Sequence, residues 1–253
     1  MKRMMMAALA MAMIGFGLNA KADELITEKD VNGKMSANVG VVTEYFFRGI
    51  TQSDKKPALQ GGFDFAHNSG VYVGTWGSSV DFDAGTEETV EVDLYGGWSG
   101  ELGSSKVKLD VGAIYYWYPG SNGPGTVDYE FWEIYAGLSK DFGVASASAK
   151  VSFSPDYFAE SGDATYIDLG VDVPLGKYFT LNLHGGYQWI DKNTAFGADD
   201  YFDWLIGVSF SLIGLDFQIA YLGTDLDDTD SSSSLTCFRD SCDAVIATVS
   251  KSF

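Results

Sequence analysis

Arg48 stands four residues after Glu44, so at strand spacing the two share one face. They can oppose one another as a charged constriction or bind one another as an ion pair. The same spacing puts Asp64, Glu91, Asp93, Lys106, Lys108, Asp110, Lys150, Asp168, Asp172, His184 and Asp203 on the polar faces of later runs, with Asn182, Gln188, Asp216 and Gln218. Acids outnumber bases in this set, so a water path lined by it would favour cations and neutral solutes. Arg48 then either orients solute at a narrowing, or serves as the cation of a structural pair with Glu44 or another lumen acid.

Other chemistry is thinly represented. Only His67 and His184 are available as imidazole bases, and no Gly-x-Ser-x-Gly elbow accompanies them, so no catalytic residue is assigned. No phosphate loop or cofactor motif occurs, and no cofactor is expected. Asp225, Asp227, Asp228 and Asp230 resemble a calcium loop, but the turn glycine and distal glutamate of an EF-hand are missing. Asp225, Asp227 and Asp230 are therefore weak metal candidates. A solvated acidic loop, bridged to lipopolysaccharide through divalent ions, is the plainer reading. Cys237 and Cys242 share a polar loop without a neighbouring His or Cys. That is too few ligands for zinc, and the expected state in an exported chain is a disulfide.

Export is expected from the first 22 of the 253 residues. Lys2 and Arg3 precede an apolar core, and Ala20-Lys21-Ala22 reads as a cleavage site, which together make a secretory signal. Losing Lys2, Arg3 and Lys21 and no acids takes the formal charge from −19 to −22. So acidic a chain excludes nucleic acid as a partner. Residues 23–33 form a short polar segment, and 34–253 form one domain.

The elements that must position these groups are strands. Ala37, Val39, Val41, Thr43, Tyr45 and Phe47 form an apolar face at period two, opposite Ser36, Asn38, Gly40, Glu44 and Arg48. Twelve such runs are counted to the last residue. Most are about ten to thirteen residues long, near the length that crosses a bilayer and about twice an ordinary soluble strand. Connections alternate between short turns, as at 68–70 and 212–214, and long polar loops, as at 49–57 and 224–243. Aromatic residues crowd the run ends, at Tyr45/Phe47, Trp98, Tyr115/Trp117, Phe179, Tyr187/Trp189, Phe202/Trp204 and Tyr221. Together these predict an all-β fold: a transmembrane antiparallel up-and-down β-barrel of about 12 strands, with short periplasmic turns and long extracellular loops. Two runs are ambiguous. Glu130 and Glu133 fall on opposite faces of 128–139, and 71–78 carries large side chains on both. Lys251 falls on the apolar face, close enough to the rim to snorkel.

The stretches Tyr45-Phe46-Phe47-Arg48-Gly49-Ile50-Thr51-Gln52-Ser53, Pro57-Ala58-Leu59-Gln60-Gly61-Gly62-Phe63-Asp64 and Ser69-Gly70-Val71-Tyr72-Val73-Gly74-Thr75-Trp76 resemble the opening of the TorF porin family. Glu91-Val92-Asp93-Leu94-Tyr95-Gly96-Gly97 and Tyr115-Tyr116-Trp117-Tyr118-Pro119-Gly120 extend the resemblance along the mature chain. It implies a porin-like barrel in a Gram-negative outer membrane, among lipid and lipopolysaccharide. Phe253 resembles the terminal aromatic that the barrel-assembly machinery recognises. The expectation is passive passage of small hydrophilic solutes through a narrow, net acidic lumen. The alternatives are a non-conducting barrel with a surface-binding or envelope role and, last, a membrane-embedded hydrolase.

Overall fold

Each polar–apolar run pairs with its chain neighbours, and the last pairs with the first. The computed structural model describes residues 31–82, 89–121, 128–192, 200–226 and 243–253. The strands are β1 (Gly33–Val42), β4 (Ala58–His67), β5 (Val71–Ser79), β6 (Val90–Glu101), β7 (Lys108–Trp117), β8 (Phe131–Asp141), β9 (Ser146–Ser154), β10 (Ala164–Leu175), β11 (Phe179–Ile190), β12 (Tyr201–Leu212), β13 (Leu215–Thr224) and β14 (Asp243–Ser252). All twelve form one closed antiparallel barrel. Two further strands, β2 (Phe46–Phe47) and β3 (Ile50–Thr51), make a separate small hairpin. Closure runs from Asn38↔Ser252 to Val42↔Thr248, and Phe253 extends it by exchanging backbone hydrogen bonds with Ala37 at 2.9 and 3.2 Å.

One end of the barrel carries only short turns. At Ile213-Gly214 both residues have positive φ, 51° and 77°, which is the mirror-image turn whose twist matches the flanking strands. The other end carries the long connections.

The outward face is hydrocarbon. Leu59, Phe63, Leu169 and Ile219 are each more than half exposed, and Val39, Val73, Leu94, Ile134 and Ile206 join the same belt. A ring of this extent has no stable counterpart in water, whereas lipid solvates it and forces the backbone to close. Aromatics rim the belt. Phe210 stands between Phe179 and Phe217, at 5.7 and 5.1 Å, at the turn end. Tyr187 meets Trp189, and Phe202 meets Trp204, at the loop end. The Lys251 ammonium reaches the Gly214 carbonyl at 2.9 Å, which is the expected snorkel to the rim.

The structure corrects three details. The first run ends at Val42, so Tyr45 and Phe47 do not belong to the lipid-side girdle. They lie inside, because the chain bends at 43–44 and folds back into the lumen. Lys106 is exposed in a turn with positive φ, outside the lumen wall, and Lys108 marks only the turn-end rim. Glu44, expected to line the pore, lies beyond the end of β1 and accepts from Thr51 and Lys55 in its own loop. Of the two partners left open for Arg48, it is another lumen acid, Glu133, that pairs with it. The ambiguous runs also resolve. Glu133 is buried on the lumen side while Glu130 precedes β8, and inward-facing Tyr72 spends its hydroxyl on Asp110 at 2.6 Å.

Candidate functional site

The site is built on residues 43–57. Ser53 ties the segment's base, accepting from the Tyr45 backbone N–H at 2.9 Å and donating to the Lys56 carbonyl at 2.7 Å. Glu44 accepts from the Thr51 hydroxyl at 2.7 Å and the Lys55 N–H at 3.1 Å, so it braces the loop and does not line a pore. Between β2 and β3, Arg48 and Gly49 both have positive φ, 48° and 77°, which defines a two-residue hairpin with Arg48 at its apex. A Cβ at Gly49 would stand 2.4 Å from Thr224 Cγ2 and 2.9 Å from Asp203 Cβ, so the tip is pressed against the β12–β13 wall.

Two different walls hold the hairpin. On one side Val42, Ala58, Ala220, Leu222 and Ile246 form an apolar inner patch against which Tyr45 and Phe46 pack. The lumen face is therefore greasy at that place, where a water-filled tube would have polar groups. On the other side stand acids and tyrosines. The Tyr45 hydroxyl donates to Glu91 Oε1 and the Tyr118 hydroxyl to Glu91 Oε2, both at 2.9 Å. Burial, then nearby Glu91 and Asp93, push the Tyr45 hydroxyl above its ordinary range, so it stays a donor. Phe47 meets Tyr116 edge-on at 5.5 Å, and Tyr116 stacks on Phe131 at 4.3 Å.

Arg48 closes the centre. Its Nη2 donates to Glu133 Oε2 and its Nη1 to Gln188 Oε1, each at 2.7 Å. Its guanidinium carbon lies 4.2 Å from the Tyr166 ring centroid, 4.7 Å from Phe47 and 5.8 Å from Tyr157. Burial, the largest single effect, works against the charge, but Glu133 together with Tyr157 and Tyr116 more than offsets it and holds the group cationic. Arg48 is 9% exposed, Glu133 2% and Gln188 0%, so the groups that meet at this level are withdrawn from solvent. Towards the loops, a cavity of about 50 Å³ remains among Phe47, Ile50, Tyr118, Phe131, Tyr157 and Tyr201. It has room for a few waters and falls well short of the roughly 150 Å³ that admits benzene.

Below the hairpin several of the residues expected on the polar face point into the barrel. His184 Nε2 contacts Asp203 Oδ1 at 2.7 Å, and Asp203 also accepts from the Tyr166 hydroxyl at 2.9 Å. The His184 Nδ1–Asp168 contact, at 3.3 Å, is an ion-pair approach without hydrogen-bond alignment. Asp168 lies across from Lys150, Tyr95 donates to Asp64 at 2.5 Å, and Asn182 donates to Asp172 at 2.7 Å. Asp110 receives Tyr72, whose hydroxyl also meets that of Tyr135. Asp93 is buried and its Oδ1 has no hydrogen-bond partner. Asp225 Oδ1 accepts from the Phe202 N–H at 2.7 Å, a strand-end contact. Asp227, Asp230, Cys237 and Cys242 lie outside the described residues. Among the described residues no group of three acids or histidines is placed to hold a metal ion.

Sequence spacing brought most of the carboxylates to the right face and missed what they meet. Glu133, Tyr116, Tyr157 and Tyr166 were not anticipated. The available signal was that Tyr116 shares a parity with Asp110, and Tyr166 with Asp168, so both had to face inward.

Three solved structures overlap this chain at low sequence identity. The outer membrane channel DcaP of Acinetobacter baumannii is 10% identical, with TM-score 0.46 over 87% of this chain and 96% of that one. The P. putida toluene transporter TodX is 10% identical, with TM-score 0.49 over 87% and 89%. LpxR from Salmonella typhimurium is 9% identical, with TM-score 0.44 over 86% and 99%. No curated protein matches the chain. A family profile covers it from residue 27 to residue 253, and the chain belongs to that family, Gcw_chp, described as a bacterial protein of unknown function.

Proposed function

We propose that the protein is a gated outer-membrane channel for small hydrophilic solutes, of the kind the TorF resemblance implies. The observation that carries this reading is the hairpin. A charged loop tip crosses the lumen and meets the far wall through a side-chain pair, while polar groups line the barrel below it. A barrel of twelve strands is wider than one its own wall side chains fill, and the inserted segment supplies the missing stopper. Passage requires the hairpin to withdraw, after which Glu91, Asp93, Glu133 and Asp203 face the path. Their charge favours cations and neutral solutes over anions.

The signal segment 1–22 is removed in this reading, leaving 23–33 and the barrel. The short turns then face the periplasm and the acidic loops face lipopolysaccharide. Phe253, whose backbone completes the β1–β14 seam, is the residue offered to the assembly machinery. Cys237 and Cys242 form a disulfide in the last loop, and alkylation only after reduction is the expected result. Conductance of the refolded protein in a planar bilayer tests the central claim. Cation-selective openings that become frequent in Arg48→Ala support it, and silence of both proteins at every voltage refutes it.

A second reading has its own observation. Gln188, Glu133 and Arg48 are so fully enclosed that the barrel is equally well described as permanently plugged, with an envelope or surface-binding role. Silence in the bilayer selects that reading.

A further inference from the structure

The guanidinium of Arg48 is received by groups that do not depend on the hairpin carrying it. Gln188 presents Oε1 because its Nε2 donates to the Thr165 and Trp189 carbonyls at 3.2 and 3.0 Å, both on the barrel wall. Tyr166 is fixed by its hydroxyl bond to Asp203. Tyr157 is anchored in its own loop, its N–H donating to the Gly162 carbonyl at 2.8 Å and its carbonyl accepting from the Ser161 N–H at 3.2 Å. Glu133 stands on β8. A carboxylate, an oriented amide oxygen and two aromatic rings are the parts of a guanidinium receptor, and the strands, with the β9–β10 loop for Tyr157, preorganise them.

Arg48 fills this receptor incompletely. Its Nε and Glu133 Oε1 are both buried without a hydrogen-bond partner, although they belong to the two partners of one ion pair. A fork-to-fork approach would have satisfied both. The apex also holds Arg48 in the left-handed region, at φ 48°, which a non-glycine residue adopts at a cost.

We propose that Glu133, Gln188, Tyr157 and Tyr166 form a binding site for the guanidinium head of a small organic cation, and that Arg48 is its internal occupant. Solute and Arg48 compete for one place, so binding of the cation releases the hairpin. This rests on the channel reading for its consequence, since the released hairpin opens the path, but the binding itself does not.

The test is Arg48→Ala in detergent micelles, followed by thermal unfolding with methylguanidinium chloride. Tetramethylammonium chloride and potassium chloride at equal concentration are the controls. The expected result is a midpoint below wild type that methylguanidinium raises saturably, with no rise in either control salt. Adding Glu133→Gln to Arg48→Ala abolishes the rise. Equal response to all three salts, or an undiminished rise in the double variant, overturns the site. Should Arg48→Ala not fold, Arg48→Leu keeps an apolar stem between the rings and is read in the same way. Bilayer currents separate the two proposals. Methylguanidinium binding without conductance leaves the site standing and removes the channel. Conductance without specific binding leaves the channel and removes the site.

Discussion

Gly49→Ala is the sharpest perturbation of the plug, because it adds one carbon where hairpin and wall leave no room for it. The new Cβ would lie 2.4 Å from Thr224 Cγ2 and 2.9 Å from Asp203 Cβ, at a backbone φ of 77°. Left-handed geometry costs an L-residue about 1–2 kcal/mol. Overpacking a closed contact costs about 1–3 kcal/mol more. The sum, about 2–5 kcal/mol, rivals the roughly 3–5 kcal/mol at stake in a buried ion pair such as Arg48–Glu133. The strand ladder is untouched, so the cost falls on hairpin seating and not on the barrel.

Trypsin reads the seated fraction directly, since Arg48 is cleavable only when it leaves the wall. When opening and closing are fast, the rate of cleavage after Arg48 follows the open population. At about 1.4 kcal/mol per tenfold change, the rate rises about thirtyfold or more, normalised to the rate in the denatured chain. Release of the 49–55 peptide, quantified by mass spectrometry, is the readout. An unchanged normalised rate would mean that the tip does not press on Thr224 and Asp203, and the argument from the close approach would fail.

Three other outcomes follow from the same geometry. Tyr45→Phe removes one of the two hydroxyls on buried Glu91. At about 1–3 kcal/mol for a buried acceptor left short of a donor, trypsin cleavage after Arg48 should rise about fivefold or more. Leu169→Lys puts an ammonium in the lipid belt near mid-strand and should cost about 2–4 kcal/mol in urea unfolding from bilayers. Gln218→Lys, on the lumen face beside Asn182, should cost far less, and equal costs would contradict the register. Deleting Phe253 removes its two backbone hydrogen bonds to Ala37 at the seam, about 1–3 kcal/mol, and should lower the urea midpoint and slow refolding.

Most of the strands were legible because they report their own register. Asp168 and Asp172 oppose Leu169 and Val171, and a one-residue slip would put the acids into lipid. Nothing comparable marks the end of β1. Thr43, Tyr45 and Phe47 continue its alternation, so periodicity cannot say that the chain has left the sheet after Val42. The turn signal was weak as well, since Arg48 occupies a position where Asn or Asp would announce the hairpin. The inward apolar residues Ala220, Leu222 and Ile246 were the other clue. In a water-filled tube they have no purpose, and only the folded-in Tyr45 and Phe46 give them one. Partners across a lumen are separated by long stretches of sequence, so Arg48–Glu133 and Arg48–Gln188 leave no local trace.

The uneven interior bears on how the plug works. Were the hairpin held by greasy contacts alone, its seating would be nearly indifferent to charge and would respond to any solute equally. Were it held by ions alone, salt in the lumen would weaken it. The structure divides the labour. Phe46 and the Tyr45 ring rest on the apolar wall near the hinge, where the Tyr45 hydroxyl adds one polar tie to Glu91, and Arg48 reaches the polar wall at the tip. A tip contact acts on the longest lever, so a ligand that competes for Glu133 and Gln188 can free the end while the base stays seated. High salt should therefore loosen the tip only modestly, since a pair this deeply buried is poorly screened. Trypsin cleavage after Arg48 should rise much more with methylguanidinium than with potassium chloride at equal ionic strength. Equal increases would show that ionic strength, and not recognition, releases the tip.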